Sequence, residues 1–99
     1  MFYRDGGKMT RQALEDEIRE VILASVDMDG LTTADLPAEE ALFGEGVGLD
    51  SIDALEIGAA LRRRFQVKFK ANAEENREHF RSVRTLADFI AAQRGLTLE

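Results

Sequence analysis

Three segments of this chain carry apolar residues at helical spacing. Leu14, Ile18, Val21, Ile22 and Ser25 share one face, and predict a helix over 11–26. Ala54, Ile57, Leu61 and Phe65 do the same over 51–65, as do Val83, Leu86, Phe89 and Ile90 over 83–94. No pair of segments alternates apolar and polar residues as paired strands would. None of the three helices can bury its stripe alone, so they must pack together. A chain of 99 residues has room for one such core and one domain. The fold class expected is all-α: a four-helix bundle with a short third helix and a long loop between helices 1 and 2.

Local signals punctuate these helices. Thr10 is the expected N-cap of the first, with Glu15, Asp16 and Glu17 near its positive end. Asp50 caps the second, with Asp53 in its first turn, and Arg62, Arg63 and Arg64 suit its negative end. Gly58 lies mid-helix, where close packing against a neighbouring helix would explain it. Val67 and Phe69 alternate with polar residues and predict a short extended connector with two inward side chains. Asn72-Ala73-Glu74-Glu75 is a capping-box variant opening a short polar helix to about Arg81, anchored by Phe80. Ser82 or Thr85 caps the last helix, and Gly95 ends it. The loop over 27–50 holds Pro37 and four of the eight glycines. A loop of that length is functional or disordered in most compact domains. Leu31, Leu36, Leu42, Phe43, Val47 and Leu49 can peg it to the core. The expected organisation is a flexible tail over 1–9, a domain over 10–95 and a short tail over 96–99.

Composition excludes several chemistries. There is no cysteine, hence no disulfide scaffold, thiolate metal site or cysteine nucleophile. One histidine, His79, excludes a multi-histidine metal site, and its polar surroundings predict a surface position. No uncharged run approaches the roughly 20 apolar residues of a membrane span. The opening MFYRDGGKMT lacks the apolar stretch of a secretory signal, so the expected location is cytoplasmic.

The net charge of −6 is unevenly spread. Residues 1–19 are balanced, residues 20–61 hold ten acids with no Lys or Arg, and residues 62–99 carry a net +4. An acidic block repels nucleic-acid phosphates and anionic lipid and attracts basic protein surfaces. A solvated loop face would explain the same cluster.

Enzyme signatures fail one by one. Gly44-Glu45-Gly46-Val47-Gly48 is neither a dinucleotide fingerprint nor a P-loop. Asp27-x-Asp29-Gly30 places its glycine too early for a calcium loop. Ser51 is not in G-x-S-x-G, and no apolar pocket is evident to raise a carboxylate's pKa. No catalytic or metal-binding residue is expected. What remains is Ser51, after a glycine-rich loop and at the start of a helix. It can be a plain cap. Alternatively, a helix N-terminus can hold a phosphate attached to that same serine, with the flanking acids docking a basic partner protein.

The stretch Leu42-Phe43-Gly44-Glu45-Gly46-Val47-Gly48-Leu49-Asp50-Ser51-Ile52-Asp53-Ala54-Leu55-Glu56-Ile57 closely resembles the core of the acyl carrier proteins. Their Asp-Ser-Ile/Leu triplet marks the attachment site of 4′-phosphopantetheine. The resemblance covers roughly residues 10–94. It implies a four-helix carrier that catalyses nothing. Ser51 would receive the arm from coenzyme A through a phosphopantetheinyl transferase, and acyl groups would travel on it as thioesters. Asp50 matches the acid that assists the transferase and its magnesium, and Ile52 the apolar residue beside the arm. Asp53, Leu55, Glu56 and Ala59 match the helix face that meets partner enzymes with basic docking patches, although Leu55 could equally belong to the core. The implied state is a monomer binding neither nucleic acid nor membrane.

Arg62-Arg63-Arg64, the basic segment 68–84 and the extra N-terminal residues depart from the familiar fatty-acid carriers. They point to a specialised acyl, polyketide-like or lipid-modifying pathway. Two other readings stand beside this one. Peptidyl or aminoacyl carriers usually show Gly-Gly-(His/Asp)-Ser-Leu, which Gly48-Leu49-Asp50-Ser51-Ile52 fits less well. A small helical interaction module without a prosthetic group is the third.

Overall fold

The computed structural model describes residues 8–26, 30–44, 46–69 and 73–99. Four helices follow in order: α1 over Arg11–Ser25, α2 over Ser51–Phe65, α3 over Ala73–His79 and α4 over Val83–Arg94. The fold is thus the expected all-α bundle with a short third helix. No helix is long and apolar enough to cross a membrane among the described residues.

The stripes read from the sequence form the core. Leu14, Ile18, Val21 and Ile22 of α1 are buried with Ile57, Leu61 and Phe65 of α2 and Val83, Leu86 and Ile90 of α4. α1 packs against both α2 and α4, so it is the element each long helix shares. A fully buried Leu, Ile or Phe side chain contributes about 1.5–3 kcal/mol, which makes this shared seam the main source of stability. Gly58 faces Phe80: a β-carbon there would stand 3.4 Å from the phenyl ring. The close packing expected at Gly58 is therefore against the residue that follows α3.

The caps follow the sequence closely. The Thr10 hydroxyl accepts from Ala13 N at 3.0 Å, and the Ser82 hydroxyl from Thr85 N at 3.2 Å. Gly95 closes α4 at φ 65°. The start of the α3 capping box, Asn72, lies outside the described residues, as do Asp27, Asp29 and Glu45 of the acidic block.

One expectation for α1 needs correction. Its acids begin at the fifth helical residue, beyond the first turn, so they do not serve the dipole there. Glu15 and Arg19 are instead buried, at 5% and 8% exposure. Arg19 Nε donates to the Leu36 carbonyl at 2.7 Å and its Nη1 pairs with Asp16 at 2.9 Å, clamping the long loop to α1.

That loop is pegged from Leu36 onward; Leu31, also an expected peg, is half-buried but not packed against the core. Leu36, Leu42 and Leu49 are buried. Backbone bonds tie it to the entry of α4: Arg84 N donates to Ala38 O at 2.8 Å, and Leu42 N to Arg81 O at 2.9 Å. It then folds on itself, with Val47 N donating to Ala41 O at 2.8 Å and Leu49 N to Leu42 O at 2.9 Å. Glycine is needed inside this turn, because a β-carbon on Gly46 would lie 1.8 Å from the Ala41 carbonyl oxygen. Gly48, at φ 90°, then reverses the chain into α2.

The connector after α2 is as expected in its side chains, with Val67 buried and Phe69 half-buried. Its backbone is held by one residue. The Gln93 carboxamide accepts from Lys68 N and donates to Lys68 O, standing in for a neighbouring strand. His79 is not the plain surface residue expected. It is half-buried, its ring 4.2 Å from that of Phe89.

A strand pair was not legible in the sequence, yet a two-residue parallel ladder joins β1 (Lys8–Met9) to β2 (Thr97–Leu98). Arg11 N to Glu99 O at 3.0 Å extends it. Two residues are too few to show a period of 2, and only the packing of α1 on α4 brings them together. Of the tail expected over 1–9, residues 1–7 lie outside the described ones.

Candidate functional site

The pinned loop delivers the chain to the start of α2, where two carboxylates fix the backbone. Asp50 Oδ1 accepts from Asp53 N at 3.0 Å, and Asp53 Oδ2 accepts from Asp50 N at 3.0 Å. This reciprocal pair is a capping box with Asp in place of Glu. The cap belongs to Asp50, so the next residue, Ser51, has no part in holding the helix. Its hydroxyl is exposed and makes no hydrogen bond among the described residues. Replacing Asp50 with Ala should lower stability by about 1 kcal/mol, while Asn, which still accepts, should leave it nearly unchanged. Thermal denaturation of the two variants checks this; equal losses would show that the cap is not the source.

Of the expected partner-facing residues, Leu55, Glu56 and Ala59 share one face with Ile52, while the Asp53 carboxylate is turned back into the capping box. Ile52 and Leu55 are 65% and 76% exposed, the large hydrophobic side chains left outside the core among the described residues. The even choice for Leu55 between core and surface is thus resolved to surface. Glu56 is exposed and Ala59 half-buried, continuing the i, i+3, i+4, i+7 row from Ile52. Glu56 makes no ion pair or side-chain hydrogen bond among the described residues. Several other acids of the block have local work. Asp53 is half-buried in the capping box, Asp35 accepts from Thr32 N at 2.8 Å, and Glu39 meets Arg84 at 3.4 Å.

Beside Ser51 lies an open groove of about 470 Å³ between α2, α3 and the loop. Phe43, Leu49, Leu55 and Phe80 give it apolar walls, and Asp50, Ser51, Asn76 and Arg77 supply its polar lining. Phe80 is held by Phe43 and Phe69, with ring centroids at 6.5 Å and 5.0 Å.

A family model described as "Phosphopantetheine attachment site" matches residues 16–90 of the 99. The chain belongs to this family of phosphopantetheine-binding carriers. No solved structure matches the chain. Members of the family are carriers, not catalysts, and hold 4′-phosphopantetheine covalently on a serine. They work with phosphopantetheinyl transferases and with partner enzymes. The match weighs against the reading of the chain as an unmodified module.

The site of this carrier fits such a group. Attachment needs a hydroxyl that another enzyme can reach, on a backbone stiff enough to present it. Ser51 offers an exposed hydroxyl on a capped helix start, beside the open groove. Of the groove residues, the sequence singles out Asp50, Ser51 and Leu55 as candidates, but gives no signal for Phe43, Phe80 or Arg77 as groove residues. Phe43 was marked only as a loop peg and Phe80 only as the anchor of α3.

Proposed function

We propose that the chain is an acyl carrier protein whose arm is attached to Ser51. One observation carries this. The chain has three serines, all within the matched residues, and they differ in what their hydroxyls do. Ser25 donates to Val21 O of its own helix at 2.7 Å. Ser82 is 3% exposed and caps α4. Of the three, Ser51 is the one with an exposed hydroxyl and no hydrogen bond among the described residues, at a capped helix start.

The arm supplies a terminal thiol, which an otherwise cysteine-free chain lacks, and on which cargo travels as a thioester. The residues of this chain present and orient it. Asp50 keeps the helix start fixed, Ile52 lies next to the attachment point, and Asp53, Leu55, Glu56 and Ala59 form the partner face. The Leu49-Asp50-Ser51-Ile52 sequence and the apolar groove favour acyl cargo over aminoacyl cargo. Exposed Arg62 and Arg63 favour a dedicated pathway over the general fatty-acid one. Cytoplasmic, monomeric action completes the reading.

Incubation with coenzyme A, magnesium and a broad-specificity phosphopantetheinyl transferase, followed by intact mass spectrometry, tests it. One phosphopantetheine per chain is expected, mapped to the Ser51 peptide; no mass gain with several transferases would sink it. Loading the product with fatty acids through an acyl-carrier ligase, against amino acids through an adenylating enzyme, separates acyl from aminoacyl carriage.

Docking gives a second test. Glu56 is the clean position for charge reversal, since Asp53→Lys would also break the capping box. Glu56→Lys should slow modification several-fold at low salt, in line with the roughly 1 kcal/mol an exposed pair contributes. The gap should close as salt rises. Equal rates at every ionic strength would remove Glu56 from the docking face.

A further inference from the structure

The start of α2 is a crowded place for another negative charge. The capping box already sets Asp50 and Asp53 in the first turn, each carboxylate bonded to a backbone amide. They offset the positive end of the helix dipole that would otherwise receive a phosphate. A phosphodiester on Ser51 brings a third negative charge to the same turn. A cation across from it would offset that charge and fix its position.

One residue of the groove can do this. Arg77 of α3 lines the same cleft as Asp50 and Ser51, and it is the one cationic side chain among the described residues lining it. It is exposed and has no ion pair or side-chain hydrogen bond among the described residues. Other arginines are engaged elsewhere: Arg11 with Asp88, Arg64 with Glu17, Arg84 with Glu39. Its direction also follows from the packing. Phe80 N donates to Asn76 O at 2.9 Å, so the helical turn runs on through Phe80 and puts Arg77 and Phe80 on neighbouring positions of one face. Phe80 is turned inward against Phe43 and Gly58. Arg77 is therefore held on the groove side of α3.

We propose that Arg77 is a positioning residue for the arm, pairing its guanidinium with the phosphodiester on Ser51; this rests on the assignment of Ser51 above. A planar guanidinium suits two phosphate oxygens at once. The contact ties the root of the arm to α3 and aims it along the groove. An enzyme that draws the arm out must first break this pair.

The test uses the full chain converted to its phosphopantetheine form, with the mass gain confirmed first. Wild type, Arg77→Gln, Arg77→Lys and Arg81→Gln are compared by phosphorus NMR, and the Arg77 Nε–Hε signal is followed before and after modification. Arg81 serves as control because it is exposed on the same segment but lines no part of the groove. In wild type the Arg77 signal should move on modification. The phosphorus resonance should differ from that of Arg77→Gln by more than its linewidth, while matching that of Arg81→Gln. The difference should shrink between about 50 mM and about 1 M salt. Arg77→Lys should fall between, keeping charge but losing the fork. A phosphorus resonance unchanged in Arg77→Gln, with an unmoved Arg77 signal, overturns the pairing and leaves the Ser51 assignment standing. Absence of mass gain in wild type overturns that assignment and the pairing with it.

Discussion

A Ser51→Ala chain should fold as the wild type does and gain no phosphopantetheine at all. The two halves of this result come from different features of one residue. Stability should change by no more than about 0.5 kcal/mol, because the hydroxyl makes no hydrogen bond among the described residues and Ala is the best helix former. The cap that the helix does need belongs to Asp50, whose carboxylate holds Asp53 N at 3.0 Å. Modification should vanish because the oxygen that forms the new bond is gone. Ser82→Ala is the mirror image. Ser82 is buried and caps α4 through Thr85 N, so its loss should cost about 1 kcal/mol while modification proceeds in full. Intact mass and thermal denaturation of both variants read the two axes separately. Mass gain on Ser51→Ala would place the arm on another side chain, and a large loss of stability there would make Ser51 structural after all.

The parts of this site differ in how far they can be read from the chain. Ser51 and its capping acids are contiguous, and the motif around them is local, so they were legible. The helices were legible because Ile57, Leu61 and Phe65 of α2, or Leu14, Ile18 and Ile22 of α1, repeat within one element. The groove was not, since its walls come from residues as distant as Phe43 and Phe80, which only the folded chain brings together. Leu55 illustrates the limit of periodicity. It is as apolar as Leu61, but Ile57 and Leu61 already fill the inward line, and one outward step leaves Leu55 76% exposed. The acidic block shows the converse. A charge count cannot tell Asp35 and Asp53, which bond backbone amides, from Glu56, which faces solvent.

Arg19→Ala should be the most damaging single polar substitution in α1, at about 3 kcal/mol. Charge pattern alone would class Glu15 and Arg19 as an ordinary surface pair with little effect. Their burial changes that. Arg19 Nε satisfies the Leu36 carbonyl at 2.7 Å, and its Nη2 lies 3.9 Å from Glu15 Oε1. Glu15 Oε2 is buried with no hydrogen-bond partner, so Arg19 is its main compensation. Removing the arginine strands a buried carboxylate and a loop carbonyl together, the situation in which breaking a buried pair costs about 3–5 kcal/mol. Removing both charges is a different matter. Glu15→Leu with Arg19→Met keeps the volume and discards both desolvation terms, leaving unmade the bond to Leu36 O and the exposed pair with Asp16, so the double variant should lose about 1–2 kcal/mol. Asp16→Asn, on the exposed branch of the same network, should lose less than about 1 kcal/mol. Urea unfolding of the wild type and these three variants measures the losses. If the single and double variants lose equal stability, the clamp owes nothing to Glu15. If Arg19→Ala behaves like Asp16→Asn, the loop that presents Ser51 is held by its leucines alone.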